Sequence, residues 1–106
     1  MADDMQMVQA PDTTKTIIIR PPISFKGGTF DMLVLREPMS GEVRKAEGQM
    51  RNNLSNEGLR LMNTHLISMV SGWPVPVIEQ IRISDFNEAA AYLQNFIEAG
   101  LGTGKI

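Results

Sequence analysis

"ISFKGGTFDMLVLREPMSGEV", residues Ile23–Val43, decides the fold. Two apolar runs flank Gly27-Gly28, and glycine tolerates the positive φ of tight two-residue turns, so the stretch predicts an antiparallel hairpin. If Lys26 pairs with Thr29, then Phe25 faces Phe30 and Ile23 faces Met32. That register gathers Ile17, Ile19, Ile23, Phe25, Phe30, Met32 and Val34 on one side. The other side takes Arg20, Ser24, Lys26, Thr29 and Asp31. The first strand comes from "TIIIR", residues Thr16–Arg20, and ends in Pro21-Pro22. Neither proline can donate a ladder hydrogen bond, so this strand lies at an edge or breaks there.

At the far end of the quoted stretch, Pro38 stops the ladder and biases Glu37 toward extended backbone. Ser40 is the expected N-cap of a following helix. Arg36 and Glu37 therefore occupy a strand-to-helix joint. Two roles are open to them: satisfying loose backbone groups, or offering charge to a partner.

Past the joint the apolar period lengthens to that of a helix. Val43, Ala46, Met50 and Leu54 recur over about 40–52, with Glu47 and Arg51 paired four residues apart. A second helix spans about 56–71: Ser55 or Asn56 caps it, Leu59, Met62, Leu66, Met69 and Val70 form its stripe, and Gly72 stands where a C′ glycine stops a helix. "WPVPVIEQI" permits one short helical turn at about 75–81. Ser84 is expected to cap a last helix, about 85–99, in which Phe86, Ala89, Ala90, Leu93, Phe96 and Ile97 keep the period until Gly100. The fold class is α+β: a small single domain with an N-terminal antiparallel β-hairpin (about 15–36) followed by three to four α-helices. The domain is expected over 14–100, between a flexible arm at 1–13 and a flexible tail at 101–106.

Composition narrows the function. A chain of 106 residues suits one domain with a modest core. With no cysteine, thiolate catalysis, disulfides and Cys-based zinc sites are excluded together. A net charge of −2 supplies no general positive field for phosphate backbones or anionic lipid. No apolar run approaches the roughly 20 residues that span a bilayer, and "MADDMQMVQAPDTTK" lacks the basic and apolar regions of a signal peptide. A soluble, unexported protein is expected.

Chemistry-bearing patterns are sparse. His65 is the single histidine and has no Asp or Glu four residues away, so a packing or surface role outweighs metal ligation. Asp31, Glu42, Glu57, Glu79, Asp85, Glu88 and Glu98 show no spacing of an acid/base dyad and are taken as solvated faces. "FKGG" and "GLGTGK" match no phosphate loop. Eight methionines are many for this length, and their flexible, polarizable side chains suit irregular cores and adaptable binding surfaces alike. Met62 and Met69 belong to a core stripe; Met39 and Met50 are the surface candidates. Trp73, between Gly72 and Pro74, is either the plug of an interhelical corner or an exposed anchor.

"TIIIRPPISFKGGTFDMLVLREPMSGEV", then "SGWPVPVIEQI", then "SDFNEAAAYLQNFIE" resembles, in order and spacing over about residues 15–99, the tail assembly chaperone family of Mu-like and related contractile-tailed phages. Trp73 stands where smaller apolar residues are usual in that family, and the tail after Gly100 is short. The resemblance implies a non-enzymatic assembly factor that needs no cofactor and no metal. It implies binding to the tape measure protein in the host bacterial cytoplasm during tail tube assembly, and absence from the mature virion. The tail tube protein and a frameshifted longer form of the chain are further implied partners, and self-association into a homo-oligomer is expected. Nucleic acid and membrane are not expected partners. Arg36, Glu37, Met39 and Trp73 are the candidate partner-binding residues. Two other readings stay open: a structural tail protein, such as a tube or completion subunit, and a small DNA-binding regulator. For the regulator, Lys26 at the hairpin tip and Arg60 on the second helix are few basic groups.

Overall fold

The structure, a computed structural model, describes residues 14–50 and 55–104. The expectations placed on the arm at 1–13, on Arg51 and Leu54, and on 105–106 fall outside those residues. Strands β1 (Thr14–Phe25) and β2 (Gly28–Arg36) form an antiparallel two-stranded sheet. Helices α1 (Ser40–Met50), α2 (Asn56–Ser71), α3 (Val75–Ile78) and α4 (Ile83–Gly104) follow. The α+β hairpin-and-helices architecture read from the sequence is the one observed.

The hairpin register differs from the expected one. Its two-residue turn is Lys26-Gly27, with φ of 49° and 82°, so Phe25 pairs with Gly28 and Ser24 with Thr29. Positive φ at both central positions matches the right-handed strand twist. Gly28 is thus the first residue of β2 rather than the second of the turn. Farther along, Ile17 pairs with Leu33 and Ile18 with Met32. Between Ile18 and Ile23 the register shifts, so that Ile19, Arg20, Pro21 and Pro22 stand opposite Asp31 alone. The proline pair breaks the ladder at this irregularity, as its missing donors require.

The consequence is a correction to which side chains face inward. Ile17, Ile19 and Ile23 are buried as expected, and Phe25 and Phe30 pack partly against the core. Met32 and Val34, expected inside, are 54% and 45% exposed, while Leu33 and Leu35 are fully buried in their place. Side chains alternate along a strand, so the two-residue change of pairing at the turn keeps Phe25 and Phe30 on the core side, and the odd, three-residue shift across Ile19–Pro22 exchanges the faces beyond it. Burying a leucine stabilises by about 1.5–3 kcal/mol, which makes Leu33 and Leu35 the main anchors of the sheet on the helices.

Helix α2 lies at the centre and touches α1, α3, α4 and β2. Ser55 caps it through its Oγ, which accepts from the Gly58 N–H at 3.3 Å. Gly72, at φ 82°, closes it with its N–H on the Ser68 carbonyl. Its buried stripe is Met62, Leu66, Ile67 and Val70; Leu59, expected in that stripe, is 43% exposed. Against it pack Val77 and Ile78 of α3 and Phe86, Ala89 and Leu93 of α4. Gln94 donates to Asn63 at 3.0 Å between α4 and α2, and Lys15 pairs with Glu88 at 3.0 Å between β1 and α4.

Three helix boundaries also differ. Met39, not Ser40, accepts the first helical bond of α1, from the Val43 N–H at 3.1 Å. Arg82 does the same for α4, two residues before the expected Ser84 cap, from the Phe86 N–H at 2.9 Å. The last helix also runs through Gly100 to Gly104, because an internal glycine only weakens a helix by about 1 kcal/mol and does not oblige it to stop. No helix among the described residues is long and apolar enough to cross a membrane.

The observed register makes a clear stability prediction. Leu33→Ala should cost about 2–5 kcal/mol in denaturant unfolding, and Val34→Ala under about 1 kcal/mol. Equal losses, or a larger loss at Val34, would contradict this register.

Candidate functional site

The strand-to-helix joint brings Arg36, Glu37 and Met39 together with a residue whose role the sequence did not reveal. Arg36, the last residue of β2, meets Glu42 in the first turn of α1 through two parallel hydrogen bonds. Nη1 donates to Oε1 at 3.0 Å and Nη2 to Oε2 at 2.8 Å. The Nη1 group also donates to the Glu37 carbonyl at 3.2 Å. Glu42 Oε1 further accepts from the Met39 N–H at 2.8 Å. This last bond is the side-chain half of a capping box, with Met39 at the N-cap and Glu42 at N3. A carboxylate at a helix N-terminus also meets the positive end of the helix dipole.

These contacts fix the charge state of the pair. The Arg36 hydrogen bonds hold the Glu42 carboxyl down to about 2 from an ordinary 4.5, against the opposing effect of its partial burial and with further help from the Met39 N–H. The same hydrogen bonds raise Arg36. A two-pronged arginine–carboxylate pair is geometrically strict, so the joint is held at one angle. Arg36 is therefore committed to Glu42, whereas Glu37 has no side-chain partner among the described residues and Met39 is 65% exposed.

Below these residues lies a shallow groove of about 460 Å³ between α1 and the second half of α4. Val43, Phe96 and Ile97 line it with apolar surface; Glu37, Arg44 and Glu47 supply charge. Tyr92 meets Phe96 edge to face, with ring centroids 5.3 Å apart.

Trp73 is not part of this site. It is only 9% exposed and meets Phe30 edge to face, with ring centroids 5.2 Å apart. Its N–H donates to Ser71 Oγ at 3.1 Å, and its carbonyl accepts from Ser68 Oγ at 2.6 Å. Phe30 stands six residues up β2 from Arg36, which at strand rise is about 20 Å. The tryptophan has the setting of a corner plug. His65 is half-buried, and no group of three or more His, Asp or Glu that could hold a metal lies among the described residues.

With this geometry in hand, comparison with known proteins gives a family. The model of the family described as "Phage tail assembly chaperone proteins, E, or 41 or 14" matches residues 16–98, which run from β1 into α4. The chain belongs to this phage tail assembly chaperone family. No curated protein and no solved structure matches it.

The joint predicts an acid dependence. A carboxyl lowered in the folded state stabilises fully above its ordinary value of 4.5, and that contribution is lost as pH falls toward about 2. Glu42→Gln should lower stability near neutral pH by about 0.5–1 kcal/mol, since one partner is half exposed, and should flatten stability between these pH values. An unchanged acid limb in Glu42→Gln melts would show that the pair does not hold the joint.

Proposed function

We propose that this chain acts by binding alone: it holds the tape measure protein soluble in the host cytoplasm while tail tube subunits assemble, and it leaves before the virion is complete. The observation that carries this reading is the family match across 16–98, which takes in the hairpin, the joint and nearly all of the described helical layer. A tail assembly chaperone has to hold a client reversibly, a task for adaptable surface rather than for a reactive constellation. The joint is suited to that task. The Arg36–Glu42 pair keeps it rigid, Glu37 and Met39 stand free on it, and Val43, Phe96 and Ile97 offer apolar area beside them. A flexible methionine beside a carboxylate with no side-chain partner among the described residues can meet different client segments in succession.

Of the four candidate partner-binding residues, Glu37 and Met39 make direct contact in this proposal. Arg36 contributes by fixing their position, and Trp73 by shaping a distant corner. Self-association and partnership with the tail tube protein or with a frameshifted longer form belong to the same proposal: a client much longer than this domain takes several copies along its length.

Co-expression with the cognate tape measure protein tests it. The chain should keep that protein soluble and co-purify with it without added nucleotide or metal. The Glu37→Lys/Met39→Asp double variant should recover at most about one-tenth as much client while melting near the wild-type temperature. A wild-type chain that leaves the client insoluble, even when the longer form is supplied, refutes the proposal.

A further inference from the structure

A second groove, at the other end of α4, belongs to no part of the joint. It holds about 340 Å³ between the first half of α2 and the first turn of α4, with α3 and the following turn as its floor. Ile78 and Phe86 are buried at its base. Leu61 and Ile83 stand at its mouth, 39% and 60% exposed. Water gains nothing from a leucine and an isoleucine facing each other across a cleft, and covering them is the favourable outcome. Phe86 and Phe96 are ten residues apart on α4, so the two grooves are separated by about 15 Å along the helix.

The rim says what kind of chain covers them. Glu57 of α2 and Glu79 just after α3 both line the groove, from different elements of the fold. Neither carboxylate has an ion-pair or hydrogen-bond partner among the described residues. Arg60, one turn along α2 from Glu57, is the single positive group among the described residues lining the groove, and against Glu57 and Glu79 it leaves that lining net negative. The walls are two helices, and a slot between two helices accepts the ridge of a third. An occupant lying there meets apolar surface along its inner side and carboxylates on its flanks.

We infer that this groove is a docking site for an amphipathic helix of a partner protein that presents two large apolar side chains one turn apart, flanked by lysine or arginine. The apolar pair covers Leu61 and Ile83, and the flanking cations meet Glu57 and Glu79. Shape and apolar area hold the helix; the carboxylates select its charge and speed its arrival. The surface stands independently of the proposal for the joint, because it requires no tail protein to be detected.

The test uses two synthetic helical peptides with the same leucine stripe, one with lysine at every flanking position and one with glutamate there, titrated against the full chain by fluorescence anisotropy. The lysine peptide should bind at least about tenfold more tightly than the glutamate peptide, and raised salt should shrink the difference. Ile83→Asp should weaken the lysine peptide by about tenfold or more. Glu57→Lys/Glu79→Lys should reverse the preference between the peptides. Both positions of that double variant are exposed, so it decides the matter even if Ile83→Asp fails to fold. Equal binding of the two peptides, binding of neither, or a preference unmoved by the charge reversal overturns the inference.

Discussion

The irregularity that sets Ile19, Arg20, Pro21 and Pro22 opposite Asp31 alone fixes the parity of the far half of the sheet, and that parity decides which side chains the sheet gives to the core. Beyond it, Leu33 and Leu35 point at the helices and are fully buried, while Met32 and Val34 face outward. A two-stranded sheet is marginal by itself and persists only against a partner layer. Central helix α2, which touches β2 as well as the other three helices, supplies much of that layer. The same parity delivers Arg36, at the end of β2, to the first turn of α1.

At that end the chain solves a second problem with one carboxylate. Glu42 satisfies the Met39 N–H, neutralises Arg36 and completes the first turn of α1. An arginine held so fully offers its partners a fixed position more than a free charge. The groups left over, Glu37 and Met39, are therefore set on a rigid base, the arrangement in which a loop can bind without a large ordering cost. Helix α4 then carries two open apolar surfaces, one beside the joint and one at its own first turn. The family assigns assembly work to the chain, and surfaces of this kind are what such work requires of a small domain.

Much of the fold was legible because its signals are local. Apolar runs on either side of a glycine pair gave the hairpin; Ser55 and Gly72 gave both ends of α2; the Phe86-to-Ile97 period gave α4. The register was not legible: Lys26-Gly27 and Gly27-Gly28 are both passable turns, and although Pro21-Pro22 marks a break in the ladder, nothing local says how many residues the break lets slip opposite Asp31. Glu42 escaped for a related reason. It stands six positions from Arg36 with a proline between them, and it matches a capping box only once Met39, an unusual N-cap residue, is assigned that place. Trp73 left both of its readings open because a corner is plugged or bare according to what packs on it, here Phe30. The second groove is assembled from three helices between Glu57 and Phe86, and no single stretch of sequence carries its outline.

On the proposed function, the sheet is scaffold and the joint is where the client is met. Hydrogen–deuterium exchange of the chain, alone and in complex with its tape measure protein, measures this directly. The account predicts new protection over residues 37–47, at the joint and along α1, with exchange around Ile18, Met32 and Val34 on the outer sheet face unchanged. Protection confined to that outer face, with the joint exchanging as in the free chain, would contradict it.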